Sequence, residues 1–419
     1  MSQEQQTSAN QTSEEVLSSY PFPFADHSLE VPAEYDRLRQ QCPVARVHMP
    51  HGGDAFMPTR YQEIAQAFAD PKCAAIQASD GAVPRLEAGP VTGTEEGSEI
   101  AAMFSVSDAR HNKLRRVIAP AFTVQAANKL RSRVAEVTNA LVDAMERSGP
   151  PADLFEDYAI QVPMTVLCEM LGVPQQEERL YRDSARTMIS TKATMEEKMM
   201  QAMTLIQSLT PIIQEAQANP ADNVLGLLIR AQKQGDEVMT ESEMYGFVMA
   251  VLGAGFETVS TTFTNSAFIL LQQPELKAQL RTHLEHPDQL ANAIEELLRV
   301  TPIGHGRPRI THETVQLGET TLPSGEVIFL APHAANYDPS VFPDAHAIRF
   351  DRDLQPIMSF GRGIHACLGQ QIARMELQIL WQTLLTRLPT VRLAVAPSEV
   401  PWREDETLTF GPAHLPVTW

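Results

Sequence analysis

The stretch Ser359-Phe-Gly-Arg-Gly-Ile-His-Ala-Cys-Leu-Gly369 decides how this chain is read. It holds one cysteine, Cys367, in a loop with three glycines, Gly361, Gly363 and Gly369, and a run of helical character follows over residues 368–388. Glycines let a backbone turn sharply and approach a ligand closely. A cysteine at the start of a helix lies among free N–H groups and at the positive end of the dipole, which favours its thiolate. Such a thiolate acts as a nucleophile or as a metal ligand, whereas a lone cysteine without these surroundings is usually a small buried hydrophobe. Gly361-x-Gly363-x-x-Ala366 also fits a dinucleotide fingerprint. That fingerprint requires an apolar strand before it and an acidic residue about 20 positions later. Residues 351–359 instead contain three charges and Pro356, and the next strand-like run, 390–395, carries Arg392 and no acid. The nucleotide reading fails.

Phe360-Gly361-x-Gly363-x-His365-x-Cys367-x-Gly369 resembles the haem-thiolate signature of the cytochrome P450 monooxygenases, matched at six positions in ten. The resemblance implies that Cys367 is the proximal iron ligand, that His365 points at a haem propionate, and that Phe360 and Gly361 belong to the cofactor cradle.

The composition suits such a protein. The chain has 419 residues, 43% of them hydrophobic, enough for a large core. Its 33 basic and 52 acidic residues give a net charge of −19, which argues against nucleic acids and anionic membranes as partners. Cys42, Cys73, Cys168 and Cys367 are scattered, without metal-site pairing or disulfide-scaffold density, which suggests a reducing, cytosolic compartment. The first ten residues lack the basic and apolar regions of a secretory signal. No run of 18 apolar residues is present, so no membrane span is expected. Within the resembled family this matches the soluble, bacterial, cytoplasmic branch.

Residues 1–18, rich in Gln, Ser, Thr and Glu, read as a disordered tail, and residues 19–419 as a single domain. A short helix is expected over 32–41, a β-hairpin around Pro50-His-Gly-Gly53, and a helix over 61–69. Residues 74–100 read as a long functional loop, which in the family covers the substrate cavity. Asp108 is a candidate N-cap for a helix that carries His111 and Arg115 on one face. Taken alone these are a solvated basic face; the family's His-x-x-x-Arg assigns both to haem propionates. Met188, Met195, Met199 and Met203 fall on one helical stripe, either adaptable core or, from the family's lid helices, a substrate surface.

A helix of about 32 residues is expected over 241–272, roughly 48 Å long at 1.5 Å per residue. Its middle, Gly253-Ala-Gly-Phe-Glu-Thr-Val-Ser-Thr-Thr262, combines poor helix formers with a charge in an apolar stretch. Thr258 is placed to bond back to the carbonyl of Ala254 and bend the helix. Ala254-Gly255-x-Glu257-Thr258 is similar to the family's oxygen-activation motif. There Gly255 and Ala254 let the flat macrocycle approach, Thr258 hydrogen-bonds dioxygen, and Glu257 relays protons to it.

Glu296 and Arg299 stand at i and i+3 on a helix over 288–300 and match the family's Glu-x-x-Arg, a buried structural lock; on their own they would be a surface ion pair. Arg309 is the expected second propionate ligand, with Arg307 substrate-facing or exposed. Relatives usually have Arg where this chain has Tyr337, so the lock lacks one expected partner.

The resemblance runs through five motifs from about residue 20 to the end. It implies a mainly α fold with a small β subdomain near the N-terminus, and haem b between the long helix and the Cys367 loop. It further implies an oxidoreductase that inserts one atom of dioxygen into a C–H or C=C bond of a small organic substrate, with natural-product tailoring the commonest role. No flavin or iron–sulfur module is expected, so electrons would come from a separate donor, a small acidic ferredoxin. Lys113, Arg116, Arg362 and Arg374 are its candidate docking patch. Two alternatives remain: a haem-thiolate catalyst of oxidative coupling, nitration or desaturation, and a haem protein that binds ligand or gas without turnover.

Overall fold

The computed structural model describes residues 18–76, 80, 81, 83–86, 108–190, 192–235, 237–354, 356–403 and 409–419. Of the expected tail all but Ser18, which begins the first strand, and most of the expected 74–100 loop lie outside them. Helix α1 spans Glu34–Gln41, α2 Tyr61–Ala69, α3 Asp108–Ile118, α4 Val124–Ser148, α5 Gln161–Leu171, α6 Glu178–Ile189, α7 Met195–Ala218 and α8 Val224–Gln232. Then follow α9 Glu241–Leu271, α10 Pro274–His283, α11 Pro287–Val300, α12 Pro332–Asn336 and α13 Gln370–Arg387. Local chemistry sets the boundaries. Thr123 accepts from Ala126 N and Asn223 from Gly226 N, while Thr194 with Glu197 and Thr240 with Glu243 form capping boxes. At the other ends, Gly149 and Gly172 close their helices with positive φ.

The β layer is less local than the sequence suggests. Strands β1 Ser18–Ser19, β2 Val44–His48, β3 Asp54–Pro58 and β4 Cys73–Ala74 share a six-stranded sheet with β6 Arg307–Thr311 and β9 Val327–Leu330, in the order β1-β2-β3-β9-β6-β4. The expected hairpin is there: β2 and β3 pair antiparallel, and Gly52 and Gly53 turn with φ of 80° and 100°. Strand β3 pairs with β9 in parallel, and β9 with β6 antiparallel, so that Arg309 lies opposite Ile328. This register brings Arg309 in beside the N-terminal elements.

Helix α9 is the axis of the core. Its 31 residues extend about 46 Å. By length and composition it is the one described helix able to cross a membrane, but two-thirds of its apolar window is buried inside the protein. Two of its buried hydroxyls bond back to the helix, Ser260 Oγ on Phe256 O at 2.8 Å and Thr262 Oγ1 on Thr258 O at 2.7 Å, while Thr264 Oγ1 is buried without a partner among the described residues. Asn265 Nδ2 reaches Pro302 O and Phe410 O, tying the helix to the C-terminal segment.

The methionine stripe is not core as a set. Met188 packs against the core, while Met195, Met199, Met200 and Met203 are exposed on the first turns of α7.

Candidate active site

The Cys367 loop is built from backbone. Gly361 and Gly363 adopt φ of 64° and 73°. A Cβ on Gly363 would lie 2.5 Å from Phe68 O at the end of α2, so the loop is pressed onto its own chain there. Cys367 N donates to Phe360 O at 2.8 Å. The Cys367 side chain is accessible, yet burial pushes its thiol above the ordinary value. The backbone N–H groups of Gly369 and Gln370, with Arg115 and Arg374, oppose that rise. The helix-start argument thus finds its donors, but desolvation outweighs them.

Basic side chains from helix α3, strand β6 and the loop itself gather around Cys367. The rings of His111 on α3 and His365 lie 4.3 Å apart. Burial, with His365 and Arg115 nearby, pushes His111 down to about 4. Burial likewise lowers Arg309, although Asp108 opposes this, and Arg115 senses Cys367. Among the described residues the His111 Nδ1 and Arg309 Nε atoms are buried without a partner. Asp108 is the first residue of α3, and its carboxylate takes a hydrogen bond from His365 Nε2 at 2.9 Å, which holds it below the usual carboxylate range. Two histidines and Arg309 face one carboxylate, with Arg115 beside His111 and Cys367. A buried donor set of this kind fits a ligand that carries two carboxylates, as haem does.

On α9 the accessible face is Ala254, exposed, with Thr258 half-buried beside it. Thr258 Oγ1 donates to Ala254 O at 2.8 Å, the back-bond expected from the sequence. At Gly255 a Cβ would come within 2.6 Å of Leu167 Cδ1 on α5. Its small size therefore serves helix–helix packing on that side. Glu257 is buried and turned away from Thr258. Its Oε1 accepts from Arg403 Nη1 at 2.6 Å, and from Thr261 and Thr409 at 3.4 Å each.

The lock on α11 is complete. Arg299 donates to both oxygens of Glu296, at 2.7 and 2.8 Å, and to the carbonyls of Asn336, Ala345 and Ala347. Tyr337 donates to Val300 O at 3.0 Å and lies under the Arg299 guanidinium. The cation missing at position 337 comes from Arg352, whose Nε lies 3.3 Å from Glu296 Oε1. Neighbouring Glu295 instead holds Arg374, which stacks on Phe360. Arg374 is thereby committed, and the exposed part of the expected docking patch is Lys113, Arg116 and Arg362.

Sequence reasoning missed Arg352, Arg403 and the bond from Asp108 to His365. The two arginines lie 56 and 146 positions from the glutamates they serve, and no local spacing announces such pairs. Asp108 was visible, but as a helix cap.

Known proteins resemble the chain over nearly its whole length. The family description "Cytochrome P450" matches residues 81–414. Nocardicin C N-oxygenase of Nocardia uniformis subsp. tsuyamanensis is 34% identical over 403 residues, covering 95% of this chain and 98% of its own. Mycinamicin IV hydroxylase/epoxidase of Micromonospora griseorubida is 34% identical, with the same coverage. Among solved structures, the LnmA hydroxylase of the leinamycin pathway of Streptomyces atroolivaceus superposes with a TM-score of 0.86 at 34% identity, covering 96% of this chain and all of its own. A cytochrome P450 with biaryl coupling reactivity superposes with a TM-score of 0.84 at 30% identity, covering 94% and 98%. The chain belongs to the cytochrome P450 family.

Proposed function

We propose that residues 19–419 form one cytoplasmic haem-thiolate monooxygenase domain, with Cys367 as axial ligand of haem b. Its substrate is a small organic molecule, a secondary metabolite or its precursor. The observation that carries this reading is the set of buried, under-partnered basic groups beside an accessible Cys367. His111, Arg115, Arg309 and His365 would hold the two propionates, with Phe360 and Gly361 on the thiolate side and Ala254 and Gly255 on the other. When bound, haem supplies dioxygen activation, and a thiolate ligand favours O–O cleavage. The protein's own part is placement. The Cys367 loop fixes the sulfur through backbone alone. Thr258 carries a rotatable hydroxyl on the accessible face of α9, and Glu257 is the nearest acid along the helix. The lock of Glu296 and Arg299 holds the carbonyls that precede the loop.

Electrons come from a ferredoxin and its reductase, with Lys113, Arg116 and Arg362 facing the acidic donor. Reduction should slow as salt rises, because exposed charges are screened over about 10 Å at 0.1 M; a salt-independent rate would remove this patch from the account.

The similar hydroxylases and oxygenases act on secondary metabolites by their names, which supports this substrate class. Oxidative coupling is the second reading, favoured by the likeness to the biaryl-coupling structure. Titration of the haem-loaded protein with terpenoids, polyketides, fatty acids, cyclic dipeptides and aromatic amino acids tests substrate class. The expected result is a low- to high-spin shift with one class. A shift with simple fatty acids alone would contradict the secondary-metabolite reading.

A further inference from the structure

Glu257 and Arg403 form a buried ion pair with an unusual defect. Their side chains are 4% and 9% exposed, and the contact between Oε1 and Nη1 is 2.6 Å. Thr261 and Thr409 also converge on Oε1 and Nη1. Yet Glu257 Oε2 and Arg403 Nη2 are buried and have no partner among the described residues. Arg403 cannot easily move to repair this. Its guanidinium lies 4.6 Å from the centre of the Phe155 ring, and its backbone N–H is bound to Gly411 O at 2.9 Å. Arg186, paired with Glu156, reaches the same ring at 5.6 Å.

Among the described residues a buried carboxylate oxygen and a buried guanidinium nitrogen on one ion pair each lack a bond, and an unmade bond at a charged group is costly. One water accepting from Nη2 and donating to Oε2 would satisfy both, and buried waters occupy such positions. We infer that Arg403 is a positioning residue for Glu257: it anchors Oε1 and, with Oε2, holds a water through which protons reach the carboxylate. The inference rests on the reading of Glu257 as the proton relay. A proton arriving from solvent through that water meets Oε2 while Oε1 stays fixed. Without Arg403 the carboxylate loses both its anchor and its proton source.

The test uses haem-loaded protein with a surrogate ferredoxin and reductase, without added substrate. It follows NADPH oxidation, peroxide released per NADPH and the solvent deuterium effect, in E257Q, R403Q, R403K and E257Q/R403Q. E257Q should slow NADPH oxidation by about tenfold or more, as loss of a proton-transfer group does. R403Q should match it within about twofold, and the double variant should be no worse than either. If R403Q loses haem, R403K decides, because an ammonium lacks the planar, spaced donors by which Nη1 holds Oε1 while Nη2 faces the water: an E257Q-like phenotype supports the inference and wild-type kinetics overturns it. E257Q impaired with normal Arg403 variants overturns the role of Arg403 alone. A normal E257Q overturns the relay reading and this inference with it. Independently of turnover, a crystal structure of the haem-loaded protein should show a water within hydrogen-bond distance of Glu257 Oε2 and Arg403 Nη2; a protein group filling that place would overturn the water.

Discussion

Cys367→Ala should yield folded protein in which the strongly red-shifted carbon monoxide band of a thiolate-ligated haem is lost completely, together with oxygenation. The backbone of the loop does not depend on the sulfur. Its positive φ values at Gly361 and Gly363, and the bond from Cys367 N to Phe360 O, survive the substitution. The side chain is accessible rather than part of the packed core, so the metal-free protein should lose less than about 1 kcal/mol. The basic groups at His111, Arg115, Arg309 and His365 remain, so part of the haem should still bind, without its thiolate signature. Retention of the red-shifted band in Cys367→Ala would mean that another group supplies the ligand.

Glu296→Ala should cost more than any other change at the lock. It strands two guanidiniums, Arg299 with no side-chain exposure and Arg352 with 5%, in the interior without an anion. Breaking a buried pair by removing one partner costs about 3–5 kcal/mol, a large share of the roughly 5–15 kcal/mol that holds a domain folded. Arg349 N also loses its acceptor, Glu296 Oε1, at 2.9 Å. Arg352→Ala should be milder, because Glu296 keeps both bonds from Arg299; what goes is one longer contact and the bonds to the carbonyls of Pro343, Asp344 and Ala347. Haem per polypeptide and Tm should fall in the order wild type, Arg352→Ala, Glu296→Ala. Normal haem content in Glu296→Ala would show that the lock does not hold the haem-binding half of the molecule.

The sequence disclosed most where chemistry and local geometry coincide. The Cys367 loop, the Gly–Ala–Gly interruption of α9 and the i, i+3 pair of α11 are each confined to a few residues, and each was legible. The long helix was expected over 241–272 and spans Glu241–Leu271, where Thr240 and Glu243 cap its start. What was hidden depends on pairing across the chain. The sheet joins N-terminal strands to residues 307–330, and no periodicity in either segment declares that register. Arg352 fills the place left by Tyr337 because the chain after α12 folds back over Glu296. The packing of Gly255 against Leu167 of another helix was hidden for the same reason. Exposure of the methionines on α7 was likewise undetermined, since a helical stripe carries no mark of whether another element covers it.

Thr258 and Glu257 are adjacent in the sequence but face different surroundings, one the accessible face of α9 and the other Arg403 and the C-terminal segment. This separation suits a division of labour between a hydroxyl at the reaction site and an acid supplied with protons from behind.

The most direct test of the central claim is turnover under isotopically labelled dioxygen, using the first compound that shifts the haem to high spin. A monooxygenase should place one labelled atom in each molecule of product and the other in water. A product that carries no label from dioxygen, formed by protein whose haem-thiolate spectrum is intact, would contradict oxygen insertion and turn the assignment to oxidative coupling or desaturation.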